Sequence, residues 1–243
     1  MASNETPAAP RRVLITGANR GLGYELTKKF MESGDTVWAA GRPDRTGQVR
    51  ELQPAGVVEM DMAEEGTIAS AMAELAKELD GLDLLINCAG IDARAVGGSA
   101  DARGPFDLDA ATFTAVSVVN ATGPMVVTKQ ALGLLRQGRN PLILNVSSQL
   151  GSMQIAADIG NDTSYCVSKA ALNMLSVKTA AALKPEGIGV VMLHPGWVST
   201  DMGGPSASLT PQQSAAAIHE TVGNLSLDDT GTFINWDGTS HPW

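Results

Sequence analysis

Val13-Leu14-Ile15-Thr16-Gly17-Ala18-Asn19-Arg20-Gly21-Leu22-Gly23 is the stretch whose reading decides the fold. Its opening is a continuous apolar run that stops at glycine, as a parallel strand buried on both faces does. From Tyr24 to Met31 the pattern is helical. Strand, glycine-rich turn and helix in that order form a phosphate-binding arrangement. Glycines let the backbone turn tightly and approach a pyrophosphate, and the helix N-terminus offers free N–H groups and the positive end of its dipole. The spacing here is G-x-x-x-G-x-G rather than the commoner G-x-G-x-x-G.

The same rhythm continues along the chain. Strands are predicted at Thr36–Ala40, Val57–Met62, Leu82–Asn87, Leu142–Val146, Gly189–Leu193 and Thr232–Trp236. Helical patterns lie between them, at Ile68–Leu79, over Phe113–Leu135 with Asn120 inside, around Tyr165, and after Ser208-Leu209-Thr210-Pro211. Gly97 to Pro105, rich in glycine and charge, reads as a loop. Alternation of this kind implies an α/β fold: a Rossmann-like doubly wound parallel sheet with helices on both faces. No internal break or repeat marks a second domain, so residues 11–243 are expected to form a single domain behind a disordered tail at residues 1–10.

The second strand ends at Gly41-Arg42, where a fold that holds a bare ribose 2′-hydroxyl usually has a carboxylate. Arg42, with Arg20 of the first loop within reach of the same spot, suits a 2′-phosphate instead, so the expected cofactor is NADP(H). A formal charge of −9 argues against a nucleic-acid surface, which needs concentrated Lys and Arg. No apolar run approaches the roughly 20 residues of a bilayer span. Cys88 and Cys166 lack disulfide or metal-ligand spacing and read as buried free thiols, so no metal is expected and the expected setting is the cytoplasm.

Tyr165 and Lys169 are four apart in a helical run, which puts phenol and ammonium on one face a turn apart. A cation there favours the phenolate and lowers a tyrosine pKa from ~10, which suits proton exchange with an alcohol oxygen. His194, ahead of a Pro-Gly loop, reads as a packed structural histidine rather than a catalytic one.

With these residues in view, the chain closely resembles the short-chain dehydrogenase/reductase family from about Arg12 to its C-terminus. The motifs are Thr16-Gly17 through Gly23, Asn87-Cys88-Ala89-Gly90, Asn120, Ser147-Ser148, Tyr165 through Lys169, and Pro195-Gly196. Pro195 through Gly204 and Gly231 through Gly238 are similar to the C-factor/sniffer-like, carbonyl reductase-like branch.

The resemblance implies catalytic Asn120, Ser148, Tyr165 and Lys169. Tyr165 would be the general acid/base, Lys169 would tune it and hold the nicotinamide ribose, Ser148 would bind the carbonyl, and Asn120 would hold a relay water. The cofactor would be lined in the first loop by Gly17, Asn19, Arg20, Gly21, Leu22 and Gly23, and beyond it by Arg42, Asp61, Met62, Asn87, Ala89 and Gly90. Tyr165, Lys169, Pro195, Gly196, Val198 and Thr200 would complete the lining. A cap role falls more naturally to Ser147 than to Ser148, and Asp201 is assigned no chemistry. Ser148 and Tyr165 are separated by 16 residues, more than the common family pattern, which implies a longer loop around Ala156–Asn161 beside the substrate mouth. Met153, Ile155, Trp197 and Met202 are candidates for an apolar pocket or for ordinary core.

The expected activity is hydride transfer between NADP(H) and a small carbonyl or alcohol substrate, in a homodimer or homotetramer, with no nucleic-acid or membrane partner. The alternatives are a cofactor-binding regulatory protein of the same fold, and a related enzyme acting on an imine or by dehydration.

Overall fold

A computed structural model describes residues 9–97 and 104–243. Most of the expected N-terminal tail and the centre of the expected Gly97–Pro105 loop lie outside the described residues. Seven strands form the sheet: β1 (Arg12–Thr16), β2 (Thr36–Gly41), β3 (Gly56–Glu59), β4 (Leu84–Asn87), β5 (Leu142–Val146), β6 (Gly189–His194) and β7 (Phe233–Asn235). Their spatial order is β3-β2-β1-β4-β5-β6-β7, and every pairing is parallel. The helices are α1 (Gly21–Glu32), α2 (Gly47–Arg50), α3 (Glu65–Glu78), α4 (Ala110–Ser117), α5 (Gly123–Leu135), α6 (Met153–Ala156), α7 (Thr163–Leu183) and α8 (Pro211–Asn224).

Side chains alternate along each strand, so the sheet builds two cores. Leu14, Leu85, Ile143 and Val190 face α3, α5 and α7, meeting Ile68, Leu75, Val127, Leu135 and Leu183. Val13, Ile15, Ile86, Leu144 and Val191 face α1 and α8, meeting Leu26, Phe30, Ile218 and Val222. Burial on both faces explains why the strands read as unbroken apolar runs. Helix α8 starts where the sequence places it: the Thr210 hydroxyl accepts from the Gln213 N–H at 3.1 Å, the Gln213 side chain accepts from the Thr210 N–H, and Pro211 follows.

Three details differ from the sequence reading. Strand β3 stops at Glu59, so Asp61 and Met62 belong to the loop beyond it. The long helix around Asn120 contains a wider π turn at Val118–Thr122, which joins α4 to α5. With that turn, Ala110–Leu135 is a continuous 26-residue helix with an 18-residue stretch of mean hydropathy 1.4, long and apolar enough to cross a membrane by length and composition. The sequence hides this because serines, threonines and glycines interrupt the apolar residues. Its inner side, through Val116, Val126, Val127, Ala131 and Leu135, is buried within the fold.

At the opposite end of the sheet from the glycine loop, buried Asp83 ties three strands together. It accepts from Arg12 Nη2 at 2.7 Å, from the Arg139 N–H at 2.6 Å and from Arg139 Nη2 at 2.9 Å. Burial alone raises a carboxyl pKa, but these bonds from Arg12 and Arg139 outweigh it and hold Asp83 well below the usual range. A depressed folded-state pKa contributes stability that is present above the unfolded value of ~3.9 and is lost as pH falls through the folded value. Asp83→Ala is therefore expected to cost about 3 kcal/mol in a denaturant titration at pH 7, the low end for breaking a buried pair because both arginines keep some solvent. Its deficit relative to the parent should shrink below about pH 4; a deficit independent of pH would contradict this account.

Candidate active site

The order of the strands reverses between β1 and β4, and the crevice over their carboxyl ends is where ligands bind in such sheets. The glycine loop fills one side of it. Gly17 has φ +69°, and a Cβ there would stand 2.7 Å from the Ala89 Cα; on Gly23 a Cβ would stand 2.2 Å from the Gly17 carbonyl oxygen. Neither position accepts a side chain. Thr16 Oγ1 accepts from the N–H groups of Cys88 and Ala89 at 3.1 and 3.3 Å, so the loops after β1 and β4 are held together. Helix α1 begins at Gly21 with no side-chain cap, leaving its first N–H groups to an anion. This close glycine cradle with an uncapped helix end fits a dinucleotide pyrophosphate.

The arginines are placed differently from the sequence expectation. Arg20 turns to Asp201 in the loop after β6 and pairs with it, rather than reaching toward Arg42. Arg42 is half-exposed at the end of β2, with Asp44 3.7 Å away. Each guanidinium thus has a carboxylate neighbour brought to it by the fold, and Asp201 has an ion-pairing role that the sequence did not reveal. Asn19 lies beside Gly41, Leu22 packs against the α1 core, and Asp61 accepts from the Ala63 N–H at 2.9 Å. Met62 packs against Gly123, so its side chain belongs to the core.

Asn87, at the end of β4, is buried and donates to Asn145 Oδ1 at 2.8 Å and Thr128 Oγ1 at 3.3 Å. Its own Oδ1 is the buried side-chain polar atom without a partner among the described residues. Past it, Ala89 meets Gly17, and a Cβ on Gly90 would stand 3.5 Å from both Asn120 Oδ1 and Lys169 Nζ. Across the crevice, Pro195 accepts from the Ser214 hydroxyl, Gly196 packs on Leu209, Val198 bridges to Leu209, and the Thr200 hydroxyl accepts from the Gly203 N–H at 3.2 Å.

The four residues expected to be catalytic come from three elements. Asn120, in the π turn, receives the Ile91 N–H at 2.8 Å and donates to the Ile91 carbonyl at 2.8 Å and Ser168 Oγ at 2.9 Å. Both amide hydrogens are thereby engaged. Ser148, at the end of β5, caps the next turn by accepting from the Leu150 N–H at 3.1 Å. This corrects the expectation that Ser147 is the capping serine; Ser147 instead donates to Asn173 Oδ1 at 2.6 Å. Lys169 is buried and donates to the Val146 carbonyl at 2.8 Å, with its Nζ 5.7 Å from the centre of the Tyr165 ring.

The electrostatics of the pair also run against the expectation. Burial pushes the Tyr165 phenol up from its ordinary 10.0, a hydrogen bond with Ser148 works the other way, and Asp92, Cys166 and Cys88 push it further up. Lys169 is pushed down to about 8 by its own burial. Desolvation therefore outweighs the attraction between phenolate and ammonium while the lysine faces Val146. Cys88 is pushed up to about 12 by burial, so its thiol stays protonated and inert. His194 is packed, as expected: Nδ1 accepts from the Gln149 N–H at 3.1 Å, its ring meets Trp236 and His241 edge-on, and burial pushes its pKa down to about 4.

Arg94 was not singled out in the sequence. Asp92 receives its Nε at 2.8 Å, and its Nη2 donates to the Met202 carbonyl at 2.8 Å, joining the loops after β4 and β6. No local pattern signals this contact, since the two residues are 108 positions apart.

A family model described as short chain dehydrogenase matches residues 11–209. The C-signal protein of Myxococcus xanthus is 40% identical over 162 residues, covering 67% of this chain and 93% of that protein. A 1-hydroxy-2-glutathionyl-2-methyl-3-butene dehydrogenase of Rhodococcus sp. (strain AD45) is 30% identical over 238 residues, covering 95% and 99% of the two chains. Among solved structures, an NADPH-bound carbonyl reductase from chicken fatty liver aligns with a TM-score of 0.86 at 31% identity, covering 96% of this chain and 99% of its own. The carbonyl reductase Sniffer of D. melanogaster aligns at 0.85 and 30%, covering 96% and 100%.

In the protein without cofactor, the difference in phenolate absorbance between the parent and Tyr165→Phe is expected to titrate above 10.0, the ordinary tyrosine value. A midpoint below it would mean that Lys169 reaches the phenol after all.

Proposed function

The chain belongs to the short-chain dehydrogenase family, and on that premise we propose an NADP-dependent oxidoreductase that moves a hydride between the nicotinamide and a carbonyl or alcohol carbon of a small organic molecule. The observation that carries this reading is the convergence of Ser148, Tyr165 and Lys169, from the end of β5 and one face of α7, beside the glycine cradle between β1 and β4. Bound in that cradle, the cofactor supplies or accepts the hydride. The cradle would hold the pyrophosphate against the α1 N-terminus, and Arg42 would be the guanidinium for a 2′-phosphate, since Arg20 is held by Asp201.

Ser148 orients the substrate oxygen, and Tyr165 exchanges a proton with it. NADPH drives reduction, and a phenol that is protonated at neutral pH can give the proton that a ketone or aldehyde oxygen needs. Lys169 would hold the cofactor ribose and return a proton to Tyr165. Because both amide hydrogens of Asn120 are engaged, its role is to hold the Ile91 backbone beside the lysine, and a relay water would use the remaining acceptors there. The engaged amides, the packed His194 and the protonated Cys88 support Tyr165 rather than those groups as the residue that exchanges the proton.

The reading extends to a single cofactor-binding domain over residues 11–243, working in the cytoplasm. It also extends to a symmetric homodimer or homotetramer through the outer faces of α5 and α7. Met125, Val167 and Met174 are exposed on those helices, a surface suited to an isologous contact. Light scattering at micromolar concentration should give at least twice the 25.2 kDa chain mass.

The name of the Myxococcus relative favours a second reading, a signalling protein that keeps the fold without useful turnover. Kinetics separate the two. Tyr165→Phe should bind NADPH almost normally and reduce at least ~100-fold more slowly, while Lys169→Ala should lose both affinity and rate. Full reductase activity in Tyr165→Phe would sink the assignment, and no turnover in the parent would favour signalling. Arg42→Ala should weaken NADPH binding by about 1.5–3 kcal/mol in calorimetry and leave NADH binding nearly unchanged; tighter binding of NADH than NADPH by the parent would overturn the cofactor choice.

A further inference from the structure

The backbone ladder between β5 and β6 ends at Ser147, whose N–H donates to the Leu193 carbonyl at 2.8 Å. In a parallel pair the next N–H on that side belongs to Gln149, and the register would send it to the Pro195 carbonyl. That carbonyl accepts from Ser214 Oγ at 2.7 Å instead. The Gln149 N–H goes to the His194 ring, whose Nδ1 accepts it at 3.1 Å. A side chain stands where the sheet would have offered backbone.

This bond bears on Ser148. Ser148 Oγ accepts from the Leu150 N–H at 3.1 Å, and its carbonyl accepts from the Gly151 N–H at 2.9 Å. The direction of the serine hydroxyl therefore depends on where the turn Gln149–Gly151 sits. Toward α7 the turn has no slack. A Cβ on Gly151 would lie 2.9 Å from Lys169, and the Gly151 carbonyl accepts from Asn173 Nδ2 at 3.3 Å. At its start the turn is held by His194, and farther on the Gln154 N–H donates to the Trp243 carbonyl at 2.9 Å.

The imidazole is itself fixed. It is 6% exposed and meets Trp236 and His241 edge-on, with ring centres 5.9 and 5.4 Å away. His241 lies 4.3 Å from the Phe233 ring, and Phe233 5.6 Å from that of Trp243. Burial, helped by His241, pushes the His194 pKa down to about 4, so at neutral pH the ring is uncharged and can keep a lone pair on Nδ1. An apolar side chain would fill this space as well. What the imidazole adds is an acceptor facing Gln149.

We propose that His194 is a positioning residue: by holding the Gln149 N–H it fixes the turn Gln149–Gly151 and with it the direction of the Ser148 hydroxyl. This deepens the reductase reading and rests on it. His194 exchanges no proton with the substrate. It acts through Ser148, so its loss slows turnover and spares cofactor binding.

The test compares His194→Leu with His194→Asn in the NADPH-dependent reduction of 4-nitrobenzaldehyde. Leucine keeps the bulk and removes the acceptor, whereas asparagine gives up bulk and places Oδ1 near the position of Nδ1. His194→Leu should lower kcat roughly tenfold, less than the ~100-fold of a 1 Å misplacement, and leave the NADPH dissociation constant nearly unchanged. His194→Asn should recover most of that loss while melting at a lower temperature, because it leaves a void. A role in packing alone predicts the reverse order of kcat. That order, or parental kcat in both variants, overturns the inference and leaves the reductase reading standing. Nitrogen-15 spectra of the parent at pH 7 should show the neutral Nε2–H tautomer of His194, and a proton on Nδ1 overturns the inference without any measurement of turnover. A parent that binds NADPH and leaves the aldehyde unreduced overturns the reductase reading and the positioning role with it.

Discussion

The contact between Gly17 and Ala89 is the constraint on which the site depends. A Cβ on Gly17 would stand 2.7 Å from the Ala89 Cα, so the chain leaving β1 and the chain leaving β4 can run side by side only if the first is glycine. Thr16 Oγ1 secures the approach by taking two N–H groups from the far loop. From that point the chain turns one way into α1 and the other way toward Gly90 and Lys169. The glycine turn and the Tyr165–Lys169 pair therefore share one wall, and a shift of that wall would move both.

Burial sets the chemistry of the second half of the site. Lys169 lies in the interior against the Val146 carbonyl, and desolvation lowers its hold on its proton. The same surroundings keep the Tyr165 phenol protonated. A ligand that draws the ammonium away from Val146 changes both groups at once, so their proton affinities belong to the pair rather than to either residue. Asparagines provide the scaffold beneath them. Asn87 donates to Asn145, Asn145 donates to Ser176, and Asn120 fastens the loop after β4 to Ser168 of α7. These bonds hold the strand ends in register without placing a charge there.

The loop from Pro195 to Gly204 is held from two directions. Arg20 reaches it from the glycine loop through Asp201, and Arg94 reaches it from the loop after β4 through the Met202 carbonyl. Both arginines are partly exposed, so each contact is individually weak.

Local pattern was enough for the frame. Apolar runs, unbroken in β1, β2 and the middle of β4, β5 and β6, marked the strands because a sheet covered on both faces needs apolar residues at successive positions. Glycine spacing marked the cradle, and Tyr165 and Lys169 share a face because helical geometry relates positions four apart. Boundaries moved where a strand's end depends on its neighbour, as at Glu59, where β3 stops with its last pairing to β2. Only the tertiary structure decided the partners of charged and polar side chains. Asp201 and Arg20 are 181 positions apart, and nothing near either one in the chain announces the pair. Nor does spacing say whether Lys169 acts on Tyr165: the interval sets the distance along the helix, whereas the depth of burial and the Val146 carbonyl set the direction in which the protons are held.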